Sequence, residues 1–273
     1  MIENNWLMQY ISAPQVRLVT RPSINWPAIS DFLDSEGLPS IPDSIRSGSD
    51  ESSAVVEISA RLCYMSFGRG RKDISDFINN LLSKGDGSVF EHVNYGFVIS
   101  GISRSLTHEL VRHRAGFAFS QRSQRYVDES ESSFVMPPAL NKNDSKTIKA
   151  TDIMKATMES SLSSYKNLVS ELDKIMPEEQ FESLSDRRKA IRQAARSVLP
   201  NATETKIFVT ANVRAWRHFI EMRGASFADW EIRNLAIIIL KILEKESPLL
   251  FSDFTIDELP DGTLTAKPKY SKI

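Results

Sequence analysis

One fifteen-residue segment concentrates side chains that bind anions and heterocycles. Residues 112–126 have the sequence RHRAGFAFSQRSQRY and contain four arginines, one histidine, two serines, two glutamines and a tyrosine. Arginine keeps its charge at physiological pH and binds phosphate through parallel hydrogen bonds. The segment therefore predicts a binding site for anionic molecules that also carry hydrogen-bonding rings.

The histidine of this segment lies between two cations. Arg112 and Arg114 flank His113, and their charges favour the neutral imidazole. A neutral imidazole presents one hydrogen-bond donor and one acceptor. Such a ring suits the edge of a flavin or a nucleobase.

A second group of arginines lies in the C-terminal half of the chain. Arg196, Arg214 and Arg223 fall near the ends of predicted elements or among apolar residues, where an unpaired guanidinium is costly. A bound phosphate could satisfy them, and so could internal carboxylates. The candidate internal partners are Glu109, Glu204 and Glu221.

Several other chemistries lack support. The single cysteine, Cys63, and four histidines without metal-ligand spacing predict neither a disulfide nor a metal site. Cys63 lies on an apolar helical pattern and is expected to be a small core residue, and no base is assigned to Ser123. Because no glycine-rich phosphate loop occurs, a dinucleotide would have to be bound by side chains and helix N termini.

The composition is that of an ordinary globular protein. The 273 residues include 34 Lys and Arg and 35 Asp and Glu, for a net charge of -1. This balance argues against a dedicated nucleic-acid-binding protein. Neither a signal peptide nor a membrane-spanning segment is predicted, and one cysteine is typical of the cytoplasm. We therefore expect one cytoplasmic domain without a membrane partner.

Hydrophobic periodicity predicts the helices and strands that carry the arginine-rich segments. Strands are predicted at 15–20, within 88–101 and at 205–213, and helices near 26–34, 53–63, 72–87, 103–112, 150–176, 178–198, 213–223 and 226–246. Gly85 is expected to end one helix, and Asn212 to cap another. The spacing of Arg112 and Arg114 predicts either a helix end near Arg112 or different partners for the two arginines.

In combination, these motifs resemble the flavin-dependent thymidylate synthases. Their hallmark is R-H-R, seven or eight residues, then S-x-R-Y, which here is Arg112-His113-Arg114, eight residues, and Ser123-Gln124-Arg125-Tyr126. Further matching motifs are ARLCY (60–64), SVFEH (88–92), HELVRHR (108–114), ARSVLP (195–200), TANVRAWRHFIEMR (210–223) and ADWEIR (228–233). The resemblance covers about 53–255. A Pro/Ser-rich segment at 21–52, which suggests an insertion, and the tail at 256–273 lie outside it. The tail is polar from Pro260 onward, which is typical of an extended or mobile segment.

The resemblance implies a fold, a reaction and an assembly. The fold would be α/β (α+β), a mixed β-sheet flanked by helices. The enzyme would methylate dUMP to dTMP with 5,10-methylenetetrahydrofolate as carbon donor and with hydride from NADPH passed through FAD. No protein nucleophile would be needed, and the assembly would be a homotetramer.

The resemblance also implies residue roles. The residues that would bind FAD are Ser88, Arg112, His113, Arg114, Gln121, Asn212, Val213, Arg214 and His218. The residues that would bind dUMP are Glu109, Leu110, Val111, Arg112, Gln121, Arg122, Ser123, Gln124, Arg125, Arg196 and Arg223. Arg223 would also be catalytic, because a guanidinium at the uracil O2/N3 edge favours the N3-deprotonated ring, whose electron-rich C5 can attack.

Two alternatives remain open from the residues themselves. The Arg-, Phe- and Tyr-rich segment could belong to an RNA- or nucleotide-binding module, although the near-zero net charge disfavours it. The arginines could instead form buried ion pairs with a structural role.

Overall fold

The computed structural model describes residues 8–41, 50–140 and 146–271. Its helices are α1 (Trp26–Ser35), α2 (Glu51–Cys63), α3 (Ile74–Lys84), α4 (Arg104–Leu110), α5 (Ile148–Ile175), α6 (Leu184–Ala195), α7 (Val213–Arg223), α8 (Trp230–Glu246) and α9 (Pro248–Phe251). Its strands are β1 (Tyr10–Ile11), β2 (Gln15–Thr20), β3 (Asn94–Ser103), β4 (Phe117–Gln121), β5 (Phe134–Val135), β6 (Glu204–Asn212), β7 (Phe254–Glu258) and β8 (Leu264–Pro268). The combination of helices and strands confirms the expected α/β (α+β) class.

The largest sheet joins strands that are distant in sequence. Its order is β2-β3-β6-β4. β1 and β5 form a short parallel pair in which Tyr10 lies opposite Phe134. β7 and β8 form an antiparallel hairpin that pairs Phe254 with Pro268 and Glu258 with Leu264.

Contacts between residues divide the described chain into two compact units. The first unit comprises 8–15, 99–111 and 120–207, and the second comprises 16–98, 112–119 and 208–271. The arginine-rich segment therefore contributes Arg112 to Phe119 to the second unit and its remaining residues to the first.

The core of the first unit forms on α5. Met158, Leu162 and Tyr165 are the buried residues of this 28-residue helix, and their spacing of four and three places them on one helix face. Met158 and Leu162 pack against Phe134 and Met136. This apolar cluster holds the segment that follows the arginine-rich sequence.

The core of the second unit surrounds α7 and α8. Trp216 is fully buried, and its ring meets Phe97 edge-on at 5.2 Å. The indole N–H of Trp216 donates to the carbonyl of Tyr95 at 3.2 Å, which satisfies its buried polar atom. The buried residues of α8 are Ile232, Arg233, Leu235, Ala236, Ile237, Ile239, Leu240 and Leu243. α7 is thereby held along its length.

Local sequence signals set the helix ends. The side chain of Asn212 accepts a hydrogen bond from the amide of Ala215 at 2.8 Å, so the predicted cap of α7 is confirmed. Gly85 ends α3 with a φ of +73°, in the left-handed region that glycine favours. α4 ends at Leu110, so the prediction of a helix end near Arg112 is also confirmed.

Within the 21–52 segment, the predicted short helix is present as α1, and residues 42–49 lie outside the described chain. Leu33 packs with Ile41, Ala54 and Phe67 in a small buried cluster. No helix in the described ranges has the length and apolar character needed to cross a membrane.

The expectation that Cys63 is buried is wrong. Cys63 is exposed, because α2 turns a different face inward. Glu57 and Arg61 are buried on that face and form an ion pair at 2.5 Å. The apolar pattern therefore predicted the wrong buried face of α2: the observed buried face includes Glu57 and Arg61.

The tail is extended rather than without structure. Residues 254–268 form the β7–β8 hairpin, and Phe254 and Ala266 are buried. The polar residues of the tail lie on the exposed side of this hairpin, where Glu258 and Lys267 are found.

The cap of α2 predicts a measurable stability effect. Asp50 accepts hydrogen bonds from the amide of Ser53 at 2.9 Å and from the hydroxyl of Ser247 at 2.7 Å. We expect Asp50→Ala to lower the free energy of unfolding by about 1–2 kcal/mol in urea titrations. Asp86→Ala is the matched control, because Asp86 precedes a short turn without a side-chain cap bond. Equal losses in the two variants would contradict this role for Asp50.

Candidate active site

The centre of the site in the second unit is a hydrogen bond between Arg223 and His113. The Nε of Arg223 donates to the Nε2 of His113 at 2.9 Å. Arg223 is the last residue of α7, and His113 lies in the turn that leads into β4. Two residues that are far apart in sequence, each predicted for the site, are therefore in direct contact.

Aromatic rings enclose His113. Its ring meets Phe219 nearly edge-on at 5.3 Å, His218 at 6.0 Å and Phe117 at 6.0 Å. Phe117 in turn packs against Trp216 at 5.0 Å and stacks on Phe119 at 5.6 Å with nearly parallel planes. These contacts fix the plane of the imidazole.

The imidazole is neutral. Burial, together with the smaller effects of the charges of Arg223, His218 and Arg112, lowers the pKa of His113 from 6.5 to about 4. This confirms the predicted neutral form. Because Nε2 accepts from Arg223, the ring carries its proton on Nδ1.

A close approach of the chain to α7 depends on Gly116. The amide of Asn212 donates to the carbonyl of Gly116 at 3.2 Å. A Cβ at position 116 would lie 2.7 Å from the side-chain nitrogen of Asn212 and 2.9 Å from the Cβ of Ala215, and φ there is +74°. Glycine is therefore required for this turn to meet the N terminus of α7.

The cations predicted to bind FAD are available at the surface of the second unit. Arg112 and Arg114 are exposed, and their side chains form no hydrogen bond or ion pair with any described residue. Arg214 pairs with Glu91 at 2.6 Å, and both side chains are nearly half exposed. An exposed pair contributes little free energy, so an anionic ligand can compete for Arg214.

The remaining residues predicted to bind FAD differ in their exposure and in whether their hydrogen-bonding groups are already used within the fold. Ser88 lies exposed in the turn Gly87–His92, and His218 is exposed on α7. Val213 is buried, and its amide donates to the carbonyl of Val93 at 2.8 Å. The Val213 amide is therefore already used within the fold.

The donor set fits an anionic dinucleotide. Arg112 and Arg114 supply charge, and the N terminus of the eleven-residue α7 supplies a positive dipole end. Stacked Phe117 and Phe119 supply planar apolar surface. No described group of three or more His, Cys, Asp or Glu side chains could hold a metal ion.

In the first unit, hydrogen bonds hold the segment predicted to bind dUMP. The Nε2 of Gln121 donates to the hydroxyl of Thr107 at 3.1 Å and to that of Thr205 at 3.4 Å. The hydroxyl of Ser123 accepts from the amide of Arg125 at 3.3 Å. Gln124 is buried, and its Nε2 has no hydrogen-bond partner in the described residues.

Arg122 is paired internally. Its guanidinium donates to Glu129 at 2.9 Å and to the carbonyl of Glu204 at 3.1 Å, and lies 3.7 Å from the Glu204 carboxylate. Both carboxylates are almost completely buried. Glu204, one of the acidic residues considered as internal partners for other arginines, therefore pairs with Arg122.

Glu129 is the site residue that sequence reasoning missed. Burial raises its pKa, while the hydrogen bond from Ser132 and the charges of Arg122 and Arg104 lower it. The amide of Glu129 also donates to the hydroxyl of Tyr165 at 3.2 Å. The only signal in the sequence was an acidic residue four positions after Arg125, which is too common to be informative.

Three further arginines of the first unit have guanidinium nitrogens without a partner among the described residues. Arg125 is exposed and Arg196 is half-buried, and neither side chain forms a hydrogen bond or ion pair with a described residue. Burial lowers the pKa of Arg104, and the charges of Arg196 and Arg122 lower it further, although that of Glu129 raises it. Nη1 of Arg104 is buried without a partner in the described chain. Arg104 therefore joins the candidate phosphate site, although the sequence motifs did not select it.

The residues at the end of α4 contribute mainly through the backbone. Leu110 is buried and Val111 is 39% exposed. The amide of Val111 donates to the carbonyl of Thr107 at 3.0 Å, and Glu109 makes interactions of its own within the chain. These contacts fix the turn that precedes Arg112.

Comparisons with known proteins agree with the geometry. Residues 46–249 match the family described as "Thymidylate synthase complementing protein". The chain is 43% identical over 242 residues to a flavin-dependent thymidylate synthase of Mycobacterium avium, covering 88% of this chain and 92% of that protein. It is 45% identical over 222 residues to the enzyme of Mycobacterium leprae (strain TN), covering 80% and 85%.

Solved structures show the same fold. The UMP/dUMP methylase PolB from Streptomyces cacaoi, bound with 5-Br UMP, superposes with a TM-score of 0.63 at 20% identity, covering 90% of this chain and 95% of that one. The structure of PolB with 5-Br dUMP gives the same TM-score at 19% identity, covering 90% and 96%.

The neutral state of His113 predicts a pH dependence of stability. Its pKa is about 4 in the folded protein and 6.5 as the ordinary value, so the unfolded chain binds more protons between these limits. We expect the free energy of unfolding of FAD-free protein to fall as pH decreases from about 6.5 to 4. In His113→Gln that decrease should be smaller, whereas the control His108→Gln should behave as the parent. Parallel stability curves for parent and His113→Gln would contradict the assignment.

The pairing of Arg122 predicts a contrast with its neighbour Arg125. Arg122→Met removes the ion-pair partner of the buried Glu129 and leaves the buried Glu204 paired only with the exposed Lys206 at 3.2 Å, so we expect a loss of about 3–5 kcal/mol in unfolding free energy. Arg125→Met removes an exposed side chain and should change stability by less than about 0.5 kcal/mol. Urea titrations of both variants test this, and similar small losses would remove the structural role of Arg122.

Proposed function

Because the chain belongs to the family of flavin-dependent thymidylate synthases, we propose that its catalytic site forms around Arg223 and His113. The enzyme is a dUMP methyltransferase that uses FAD. The carbon donor is 5,10-methylenetetrahydrofolate, and NADPH is the source of hydride. The observation that supports the location of the site is the hydrogen bond from Arg223 to a neutral His113.

Arg112, Arg114, Arg214 and the N terminus of α7 would hold FAD through its phosphates. Ser88, Gln121, Asn212, Val213 and His218 complete the proposed set. FAD, when bound, supplies the redox chemistry that passes hydride from NADPH. The exposed, unpaired guanidiniums of Arg112 and Arg114 support this assignment, because they need no internal partner to be displaced.

Arg223 would activate the uracil ring. Its hydrogen bond to His113 fixes the plane of the guanidinium, and the acceptor is a neutral ring, so this bond does not cancel the charge. A guanidinium held at the O2/N3 edge stabilises negative charge on the ring and makes C5 nucleophilic. His113 keeps its own proton on Nδ1, from which it can donate to a ligand.

The carbon–carbon bond would form without a protein nucleophile. Cys63 is the only cysteine in the sequence, and it is exposed at the last residue of α2. Ser123 is occupied as an acceptor for the amide of Arg125, and within the described residues its hydroxyl forms no hydrogen bond with a basic side chain.

The dUMP phosphate would bind to the cations of the first unit. Arg125, Arg196 and Arg104 have unpaired guanidinium groups there, and several arginines suit a dianionic phosphate. Ser123, Gln124, Gln121 and the turn formed by Glu109, Leu110 and Val111 would contact the nucleotide. Arg122 would act mainly by holding this segment against Glu129 and Glu204.

The assembly and the location are also proposals. The family resemblance supports a homotetramer in the cytoplasm, with folate and NADPH as small-molecule partners and no nucleic acid. Light scattering coupled to size-exclusion chromatography measures the subunit number, and a monomer in the FAD-loaded state would contradict the proposed tetramer.

The proposed role of Arg223 is tested with purified protein. The parent should be yellow and should oxidise NADPH faster when dUMP is present. Arg223→Ala should retain FAD but lose at least about 100-fold in dTMP formation, the scale of removing one preorganised charge-stabilising group. Arg188→Ala, on the exposed face of α6, is the control and should form dTMP normally. Protein that cannot be loaded with FAD would contradict the function, and full activity of Arg223→Ala would contradict the role of that residue.

A further inference from the structure

The hairpin of β7 and β8 lies beyond the region that matches the family, which ends at residue 249. Within the second unit, the hairpin is attached to the helix that carries Arg223. Arg217 of α7 is 3% exposed and binds both carboxylate oxygens of Asp253 at 2.6 and 2.8 Å. Its guanidinium also donates to the carbonyls of Leu250 and Tyr270. This is the first attachment point.

The second attachment point is the residue directly after Arg223. The carbonyl of Gly224 accepts from the amide of Ala266 at 2.8 Å and from the hydroxyl of Thr265 at 3.0 Å. A Cβ at position 224 would lie 2.6 Å from the carbonyl oxygen of Ile220 and 3.1 Å from the Cβ of Ala266. The absence of a side chain therefore lets β8 approach the end of α7.

A buried arginine of α8 completes the arrangement. Arg233 is 2% exposed, and it donates to the carbonyl of Ser226 at 2.6 Å and to the hydroxyl of Thr263 at 2.8 Å. Ser226 lies in the turn after Gly224, and Thr263 lies just before β8. The turn and the hairpin are therefore joined by one guanidinium.

We propose that the β7–β8 hairpin positions Arg223 for catalysis, and that Thr265 and Arg233 are positioning residues for the methylation of dUMP. This inference rests on the proposed catalytic role of Arg223. Thr265 acts on the backbone next to Arg223 through the Gly224 carbonyl. Arg233 acts on the same turn through Ser226.

The geometry explains why the backbone after Arg223 matters. Arg223 is the final residue of α7, where carbonyl groups lack partners within the helix. The guanidinium of Arg223 is held by His113, but the Cα of Arg223 is bonded to the peptide group of Gly224 and moves with it. Displacement of a catalytic group by about 1 Å can lower a rate about 100-fold, so two hydrogen bonds at Gly224 can affect catalysis without contacting the substrate.

The test uses a matched pair of threonine substitutions in the full-length, FAD-loaded enzyme. Thr265→Val removes the hydroxyl that donates to Gly224 but keeps the shape of the side chain. Thr255→Val makes the same change on the other strand, where the hydroxyl donates to the carbonyl of Lys267 at 3.4 Å. We expect Thr265→Val to lower kcat for dTMP formation by about 10-fold, with little change in FAD content or in KM for dUMP. Thr255→Val should keep the parental kcat.

A second measurement separates positioning from general stability. In the Arg223→Lys background, Thr265→Val should lower kcat by less than about twofold, because substitutions that act through one residue are not additive. Arg233→Gln should resemble Thr265→Val, and Arg233→Lys should recover part of the lost kcat. A full 10-fold loss from Thr265→Val in the Arg223→Lys background would overturn the inference, and so would a parental kcat of Thr265→Val in the native background.

A readout without activity distinguishes this inference from the proposed function. In protein with 15N-labelled histidine, the Nε2 resonance of His113, assigned with His113→Gln, reports the hydrogen bond from Arg223. Thr265→Val should shift that resonance, and Thr255→Val should not. If Arg223→Ala stayed active, the catalytic role of Arg223 would fail independently, whereas an unchanged His113 resonance in Thr265→Val would overturn the positioning by the hairpin.

Discussion

The site in the second unit depends on a hydrogen bond between a charged donor and an uncharged acceptor. Arg223 donates to His113, whose pKa is held at about 4 by burial and by neighbouring cations. A carboxylate acceptor would bind the guanidinium more strongly but would neutralise it. The neutral imidazole fixes the direction of the guanidinium without neutralising its charge, so the apolar rings that keep His113 neutral have an electrostatic function as well as a packing one.

In the first unit, some arginines are paired within the fold and others are not. Arg122 is surrounded by the buried carboxylates of Glu129 and Glu204, and its charge is used to hold the chain. Arg125 and Arg196, in contrast, have no partner in the described residues. One arginine of the segment is therefore structural, and its neighbour is available to an anion, although the two residues are only three positions apart.

Local signals in the sequence correctly predicted helix ends and caps, because these depend on interactions between neighbouring residues. The cap at Asn212, the end of α3 at Gly85 and the helix end before Arg112 depend on backbone geometry near one residue. The family motifs located His113 and Arg223, but their contact could not be derived from spacing. The partners of Arg122 depend on tertiary contacts, and the face of α2 was misjudged because its buried side carries the Glu57–Arg61 ion pair. The polar composition of the tail concealed a hairpin whose alternate residues are buried.

The Asp50 carboxylate begins α2 and also binds Ser247, which is almost two hundred positions later in the chain. Its unit is built from segments at both ends of the sequence. During synthesis, the contacts of the N-terminal part of this unit with its C-terminal part can form only after nearly the whole chain has left the ribosome. Such non-local contacts slow folding and prolong the exposure of apolar surface, so expression yield should depend on how well the emerging N-terminal half is protected by chaperones.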